Sequence, residues 1–308
     1  MIVALTGGTG GAKLVEGLAA IVDPSELTIV CNTGDDCVFH GLSISPDLDT
    51  ITYTLAGLSD TQKGWGIKGD TFTALEQLRR LGNDAWFNLG DKDLATHITR
   101  TRLLRQGRKL SEITEQIRSA LGVAAKILPM SDDRFETRVK TPAGEISFQE
   151  FFVKERWAPD VLAVRFVGAE EARPAPGVLD AIRDAGAIII CPSNPVTSIG
   201  PILAVPEIRT ALKKADAPVV GVSPIIGTMA LSGPAHKLLR VGGWDASPVG
   251  VAQAYADFLD ILFIDQNDYA VAGQIKNLGV KAFCADIRMT SVADKKRLAR
   301  QVLASVEK

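Results

Sequence analysis

Long apolar runs are missing from this chain. None reaches the ~18 residues that a membrane span requires, so no membrane partner is expected. Histidine is scarce: His40, His97 and His236 are far apart in sequence, and no His/Cys zinc site is expected. The four cysteines (Cys31, Cys37, Cys191, Cys284) show no C-x-x-C spacing and read as reduced thiols. Charge of one sign is not in excess, with 34 Lys and Arg against 36 Asp and Glu. That balance argues against a nucleic-acid arm or a polybasic anchor. No repeat, low-complexity tract or Pro/Ser-rich linker is visible. The start, Met1-Ile-Val-Ala-Leu5, lacks the basic n-region of a signal peptide, and a cytoplasmic location is expected. What the chain does have is apolar content, 46% over 308 residues. This excludes disorder and suffices for a core without a metal or disulfide staple.

Short β-branched runs alternate with helical patterns, which predicts a parallel α/β architecture. Strands are expected at Ile2–Leu5, Leu27–Cys31, Ala187–Cys191, Val219–Val222, Ile261–Ile264 and Lys281–Cys284. Their near-continuous apolar character fits a sheet covered on both faces. Helices are expected at Ala12–Ile21, Ala95–Gln106, Leu110–Leu121 and Val292–Val306. Between them, Arg134–Thr141 and Glu145–Val153 read as a hairpin turning at Pro142-Ala143-Gly144, flanked by strands Lys126–Met130 and Val161–Val167. The expected fold is α/β, a Rossmann-like, doubly wound and mainly parallel sheet. Residues 1–119 and 169–308 form its core, and 120–168 form an inserted small antiparallel α+β subdomain.

The strongest local signal is Thr6-Gly-Gly-Thr-Gly-Gly-Ala-Lys13, between the first strand and the first helix. Gly7, Gly8, Thr9, Gly10 and Gly11 would let backbone N–H groups approach phosphate oxygens at a helix N-terminus, with Lys13 beside them. It is neither a P-loop, which needs Gly-Lys-Ser/Thr, nor a full G-x-G-x-x-G, because Lys13 stands where the third glycine belongs. A merely tight turn is the bland alternative.

Asn32-Thr-Gly-Asp-Asp36 ends the second strand, where open α/β sheets place ligands. Asn32, Asp35 and Asp36 could bind a metal or sugar hydroxyls, or form a solvated turn. Asp47 and Asp49, in Ser45-Pro-Asp-Leu-Asp-Thr50, could aim at one Mg²⁺ from an extended helix entry. Helix capping by Asp49 or Ser45 is the rival. Leu89-Gly-Asp-Lys-Asp-Leu-Ala-Thr-His97 follows an expected strand, Ala85–Leu89, and Asp91 and Asp93 could cap the helix it opens. His97, one turn after Asp93, is an acid/base candidate or a packed side chain. Ser193 and Asn194 lie in a rigid Pro-flanked loop, and Ser223 opens a long Gly/Pro loop; both suit recognition of a base, sugar or phosphate.

Together with Gly64-Trp-Gly66, Leu128-Pro-Met-Ser-Asp-Asp133, Phe148-Gln-Glu-Phe-Phe152, Pro192-Ser-Asn-Pro195 and Ser223-Pro-Ile-Ile-Gly227, these strings resemble the 2-phospho-L-lactate transferase family (CofD in archaea, FbiA in actinobacteria) over nearly the whole chain. The resemblance implies a transferase of coenzyme F420 biosynthesis. The ribityl hydroxyl of the deazaflavin Fo would attack a guanosine diphospho-donor carrying a lactyl, enolpyruvyl or glyceryl group, releasing GMP. It also implies Mg²⁺, and contacts to Fo from Asp49 and from the residue at Asn88. Asn88, Glu207 and Ser232 depart from the family pattern. A homodimer is the expected assembly, and no nucleic-acid partner is expected. Two other readings are an NAD(P)-dependent Rossmann enzyme and a nucleotide-binding regulator of the gluconeogenesis-factor-like branch.

Overall fold

The computed structural model describes residues 1–306. Fourteen strands appear in chain order: β1 Ile2–Thr6, β2 Leu27–Cys31, β3 Cys37–Phe39, β4 Leu42–Ile44, β5 Lys126–Pro129, β6 Glu136–Thr141, β7 Gly144–Ser147, β8 Ala163–Val167, β9 Ala187–Ile190, β10 Val219–Val222, β11 Ile225–Ile226, β12 Met229–Ala230, β13 Ile261–Asp265 and β14 Lys281–Ala285. Seven of them form one parallel sheet in the order β14-β13-β10-β9-β1-β2-β5. The chain starts in the middle with β1, winds outward through β2 and β5, then returns to β9 on the other side of β1. Ile2 is in register with Leu27 on one flank and Ala187 on the other. This is the doubly wound, Rossmann-like arrangement expected of alternating apolar runs and helices.

Period-two alternation decides which face each strand residue serves. Val3 and Leu5 pack with Val30, Ile188 and Ile190 under helices that contribute Ile182, Ile202 and Leu212. Ala4 packs with Ile29, Ile189 and Val220 on the opposite face, under Leu14 and Leu18 of α1 (Gly8–Ala19) and Leu298 and Val302 of the C-terminal helix Val292–Ala304. Among the described residues, no helix is long and apolar enough to cross a membrane.

Three expectations are corrected. Lys126–Pro129 does not flank the antiparallel unit; it is the edge strand of the main sheet, with Ile127 paired to Ile29. The antiparallel sheet has the order β7-β6-β8, so it begins after this edge strand. Its second strand stops at Ser147, and a helical turn, Glu150–Lys154, replaces the remainder of the expected Glu145–Val153 run. Residues 85–89 form no strand. Phe87 is instead held by aromatic contacts with Phe39 of β3 (centroids 5.8 Å apart) and with Trp86 (5.7 Å).

Where α1 crosses the C-terminal helix, Gly17 lets the backbones touch: a methyl group there would collide with the Lys295 carbonyl oxygen. Beside the crossing, Lys295 pairs with Glu16 at 2.5 Å. Alanine is the better helix former by about 1 kcal/mol, but overpacking against backbone costs about 1–3 kcal/mol. Gly17→Ala should therefore destabilise the protein despite its higher propensity, and a rise in the urea midpoint would refute the close-crossing argument.

Candidate active site

The order of winding reverses between β1 and β9, and a crevice lies beyond the carboxyl ends of these two strands. The β1 loop turns at once into α1. The expected helix start at Ala12 lies a full turn too late, so Gly8, Gly10 and Gly11 belong to the first helical turn. Gly8 has φ +66°, a conformation that disfavours any side chain. A Cβ on Gly10 would lie 2.6 Å from the Pro192 carbonyl oxygen, and one on Gly11 would strike Thr6 and Ser193. The Ser193 hydroxyl donates to the Gly7 carbonyl (2.7 Å), joining the two loops. These glycines thus permit contact between the two loops as well as access to the helix N-terminus.

The β2 loop brings acids to the same place. Asn32 is fully buried, and its amide donates to Asp47 Oδ2 (2.9 Å) and the Thr197 carbonyl (3.3 Å). Asp47 Oδ1 accepts from the Gly8 N–H at 2.7 Å, so a carboxylate of the protein already occupies the first N–H of α1. Asp35 lies beside Asp47, with Oδ1 buried and without a hydrogen-bond partner. Burial, then repulsion from Asp47 and Asp36, holds its pKa well above the usual carboxylate range. Burial pushes Asp36 up as well, against a hydrogen bond from the Ser45 hydroxyl (2.6 Å). For Asp47, burial outweighs the bonds from Asn32 and Gly8 and raises the pKa to about 6. No cationic side chain pairs with Asp35, Asp36 or Asp47 among the described residues.

Asp49 has a different neighbourhood. Residues 46–55 form a helix, α2 (Pro46–Leu55), rather than the extended entry expected, and side chains two apart on a helix point to different sides. Asp49 meets Arg100 of a later helix, Asp93–Arg105, in a two-pronged ion pair: NH1 lies 3.0 Å from Oδ2, and NH2 contacts Oδ1. His97 Nδ1 is 3.7 Å from Asp49 and its Nε2 is 3.2 Å from Asp93, which also accepts from the Tyr53 hydroxyl at 2.5 Å. The expected sharing of one cation by Asp47 and Asp49 is therefore not what the helix gives. Ligand atoms of Asp49, Asp93 and His97 do come within 4.8 Å of one another. The Arg100 guanidinium already neutralises Asp49 there.

A cavity of about 440 Å³ fills the crevice, within the size of small-molecule sites. Of the residues expected at the site, Gly7, Gly8, Thr9, Gly10, Asp35, Asp47, Asp49, Asn88, Ser193 and Asn194 line it. Gly11, Lys13, Asn32, Asp36, Asp91 and Ser223 do not. Lys13 is exposed on α1. Asp91 accepts from the N–H groups of Thr73 and Ala74 and so caps the helix Thr73–Arg80, not the helix that follows it in sequence. Ser223 closes its own turn, donating to the Ile225 carbonyl. Sequence reading missed Tyr53, Trp65, Phe87, Phe148 and Phe152, the apolar part of the wall. Phe148 and Phe152 come from the antiparallel unit, which is tied to the β2 loop where the Thr137 N–H donates to the Gly34 carbonyl (2.7 Å).

The family model described as 2-phospho-L-lactate transferase CofD matches residues 2–302. The chain belongs to this family. A 2-phospho-L-lactate transferase of Methanosarcina mazei is 44% identical over 302 residues, covering 98% of this chain and 99% of its own. One of Methanococcoides burtonii is 43% identical over 98% of both chains. A phosphoenolpyruvate transferase of Streptomyces griseus is also 43% identical, over 99% of this chain and 98% of its own. A crystal structure of a UPF0052 family member from Bacillus halodurans aligns with TM-score 0.66 at 18% identity, covering 98% of each chain; this likeness concerns the fold alone. The cavity described above thus lies in a chain that matches the transferase family almost end to end.

The buried acids give the site a signed pH dependence. Asp47 keeps its proton to about pH 6 in the folded protein, against an ordinary value of 3.8. Between these values the folded state binds the extra proton, so the contribution of Asp47 to stability is greatest below about pH 4 and is lost as pH rises through about 6. The contribution of Asp47 is at most about 3 kcal/mol at ~1.4 kcal/mol per unit. Urea unfolding in a chelator from pH 4 to 7 should show this decline, and it should be shallower in Asp47→Asn than in the wild type. A profile of the same slope in the variant would remove Asp47 as its source.

Proposed function

We propose that this chain is a transferase of coenzyme F420 biosynthesis. It moves a phospholactyl, phosphoenolpyruvyl or phosphoglyceryl group from a guanosine diphospho-donor to the ribityl hydroxyl of the deazaflavin Fo. The family match across residues 2–302 carries the reading, and relatives named for the lactyl and enolpyruvyl reactions are equally similar. The cavity supports it, because its lining offers two chemistries. The α1 N-terminus and the Pro192–Asn194 loop supply N–H groups and hydroxyls suited to a diphosphate. Trp65, Phe87, Phe148 and Phe152 supply apolar faces suited to a flat ring.

In the proposed reaction the ribityl oxygen attacks the phosphorus that bears the three-carbon acid. The new P–O bond forms as the bond to the bridging oxygen breaks, and GMP leaves with that oxygen. Asp49, held on both oxygens by Arg100 and lining the cavity, accepts the hydrogen bond of the attacking hydroxyl and takes up its proton as the new bond forms. Such a transfer depends on positioning and charge neutralisation rather than on a covalent enzyme intermediate. Two hard carboxylates without a cationic partner, one of them with an oxygen that accepts no hydrogen bond, fit Mg²⁺, and Asp35 and Asp47 would hold it. The ion, when bound, supplies positive charge that neutralises the diphosphate beside these carboxylates. A metal would also relieve their mutual repulsion.

Mass spectrometry of reactions containing Fo and each of the three donors tests the proposal. The expected result is one phosphodiester product with an equal amount of GMP, lost on chelation and restored by Mg²⁺. In a rapid quench with donor alone, no GMP and no protein adduct should appear. Absence of product with every donor would sink the functional reading; stoichiometric GMP with a protein-bound adduct would replace direct transfer by a two-step route.

A further inference from the structure

Arg100 carries a role that the glycine and aspartate motifs do not reveal. Its side chain is 3% exposed and does not line the cavity, so it does not touch a ligand there. Both terminal nitrogens engage the two oxygens of Asp49, and NH1 also lies 3.4 Å from His97 Nδ1 and 3.5 Å from the Ser43 carbonyl. Asp49, by contrast, lines the cavity. A buried carboxylate held on both oxygens by a planar fork has its plane fixed, yet each oxygen keeps a lone pair for another donor. Behind the pair, Asp93, His97 and Arg100 occupy positions i, i+4 and i+7 of one helix, so a single helix face presents the whole support.

We infer that Arg100 is the positioning residue of the transfer: its fork fixes the Asp49 carboxylate so that the oxygen facing the cavity receives the hydroxyl of the acceptor. This rests on the functional reading above, in which Asp49 meets the acceptor hydroxyl. The inference assigns Asp49 to the acceptor and leaves cation binding to Asp35 and Asp47. It also distinguishes Arg100 from a general stabiliser, because its effect on turnover must pass through Asp49.

A double-mutant cycle on the full-length protein tests this. Arg100→Lys keeps the charge but loses the fork, and Arg100→Ala loses both. Each should lower kcat with Fo, by up to about a hundredfold for a misplaced group, while GDP affinity stays at the wild-type value. In an Asp49→Asn background the same Arg100 substitutions should lower kcat no further. Losses that multiply across the two positions would overturn the inference, as would wild-type kcat in Arg100→Lys or a parallel loss of GDP binding. If Arg100→Ala does not fold, Arg100→Lys completes the cycle. Failure of both to fold would count against the inference, since Arg100 would then be holding the fold rather than one carboxylate. Wild-type protein that forms no product from Fo would refute the functional reading itself; Arg100 variants equal to an active wild type would refute only the positioning role.

Discussion

The carboxylate of Asp47 ties the site together. It accepts from the Gly8 N–H and from the Asn32 amide, and Asn32 in turn reaches the Thr197 carbonyl beyond β9. Three strand-end loops, far apart in sequence, meet at one buried acid. An anion at a helix N-terminus is favourable on its own account. Here that gain is set against burial beside Asp35, strongly enough to raise the pKa of Asp47 to about 6. The organising contact of the crevice is therefore also its electrostatic debt, and it sets a condition on any phosphorylated ligand. In the proposed reaction a diphosphate approaching Thr9 and Gly10 would meet carboxylates as well as N–H groups, which is why a cation is paired with it there. The glycine turn alone suggests a ready anion site, whereas its first N–H is already taken by Asp47.

Helix geometry separates Asp47 from Asp49 although only Leu48 lies between them. At 3.6 residues per turn, positions i and i+2 diverge by about 200°. One carboxylate turns toward the glycine turn, the other toward Arg100 and His97. The two acids consequently sit in opposite electrostatic surroundings. Asp47 has hydrogen bonds but no cationic partner, whereas Asp49 has a guanidinium on both oxygens. Closely spaced acids in a sequence read naturally as one metal site, whereas the helix gives each of these two a different set of partners within one cavity.

The parallel strands were legible because burial on both sides leaves a run of apolar residues, as in Ala187–Ile190. Lys126–Met130 reads as part of the antiparallel unit because it is short and stands next to the hairpin. Its true partner, β2, lies almost a hundred residues away and leaves no local mark. The turn at Gly7–Gly11 and the loop at Ser193–Asn194 were legible because backbone approach demands glycine or proline. Trp65, Phe87, Phe148 and Phe152 were not, since convergence of four aromatics from distant segments is a property of the fold and not of spacing. Arg100 lay between these cases. Its phase relative to Asp93 and His97 could be read from the sequence, but an arginine on a polar helix face is ordinarily solvated, and only its burial shows that this one is not.

The antiparallel unit completes this arrangement rather than standing apart from it. The parallel sheet alone supplies a crevice lined by N–H groups, hydroxyls and acids, with little apolar surface to hold a ring. Phe148 and Phe152 enter the wall from the unit. Two hydrogen bonds pin it to the β2 loop, from the Thr137 N–H to the Gly34 carbonyl and from the Gln149 amide to the Asp35 carbonyl. The second falls on the residue whose carboxylate is left unpaired beside Asp47. The segment that brings aromatic surface to the cavity is thereby braced on the backbone of the acidic loop. A shift of the unit would strain both hydrogen bonds, so the apolar wall and the acidic loop are coupled through these two contacts.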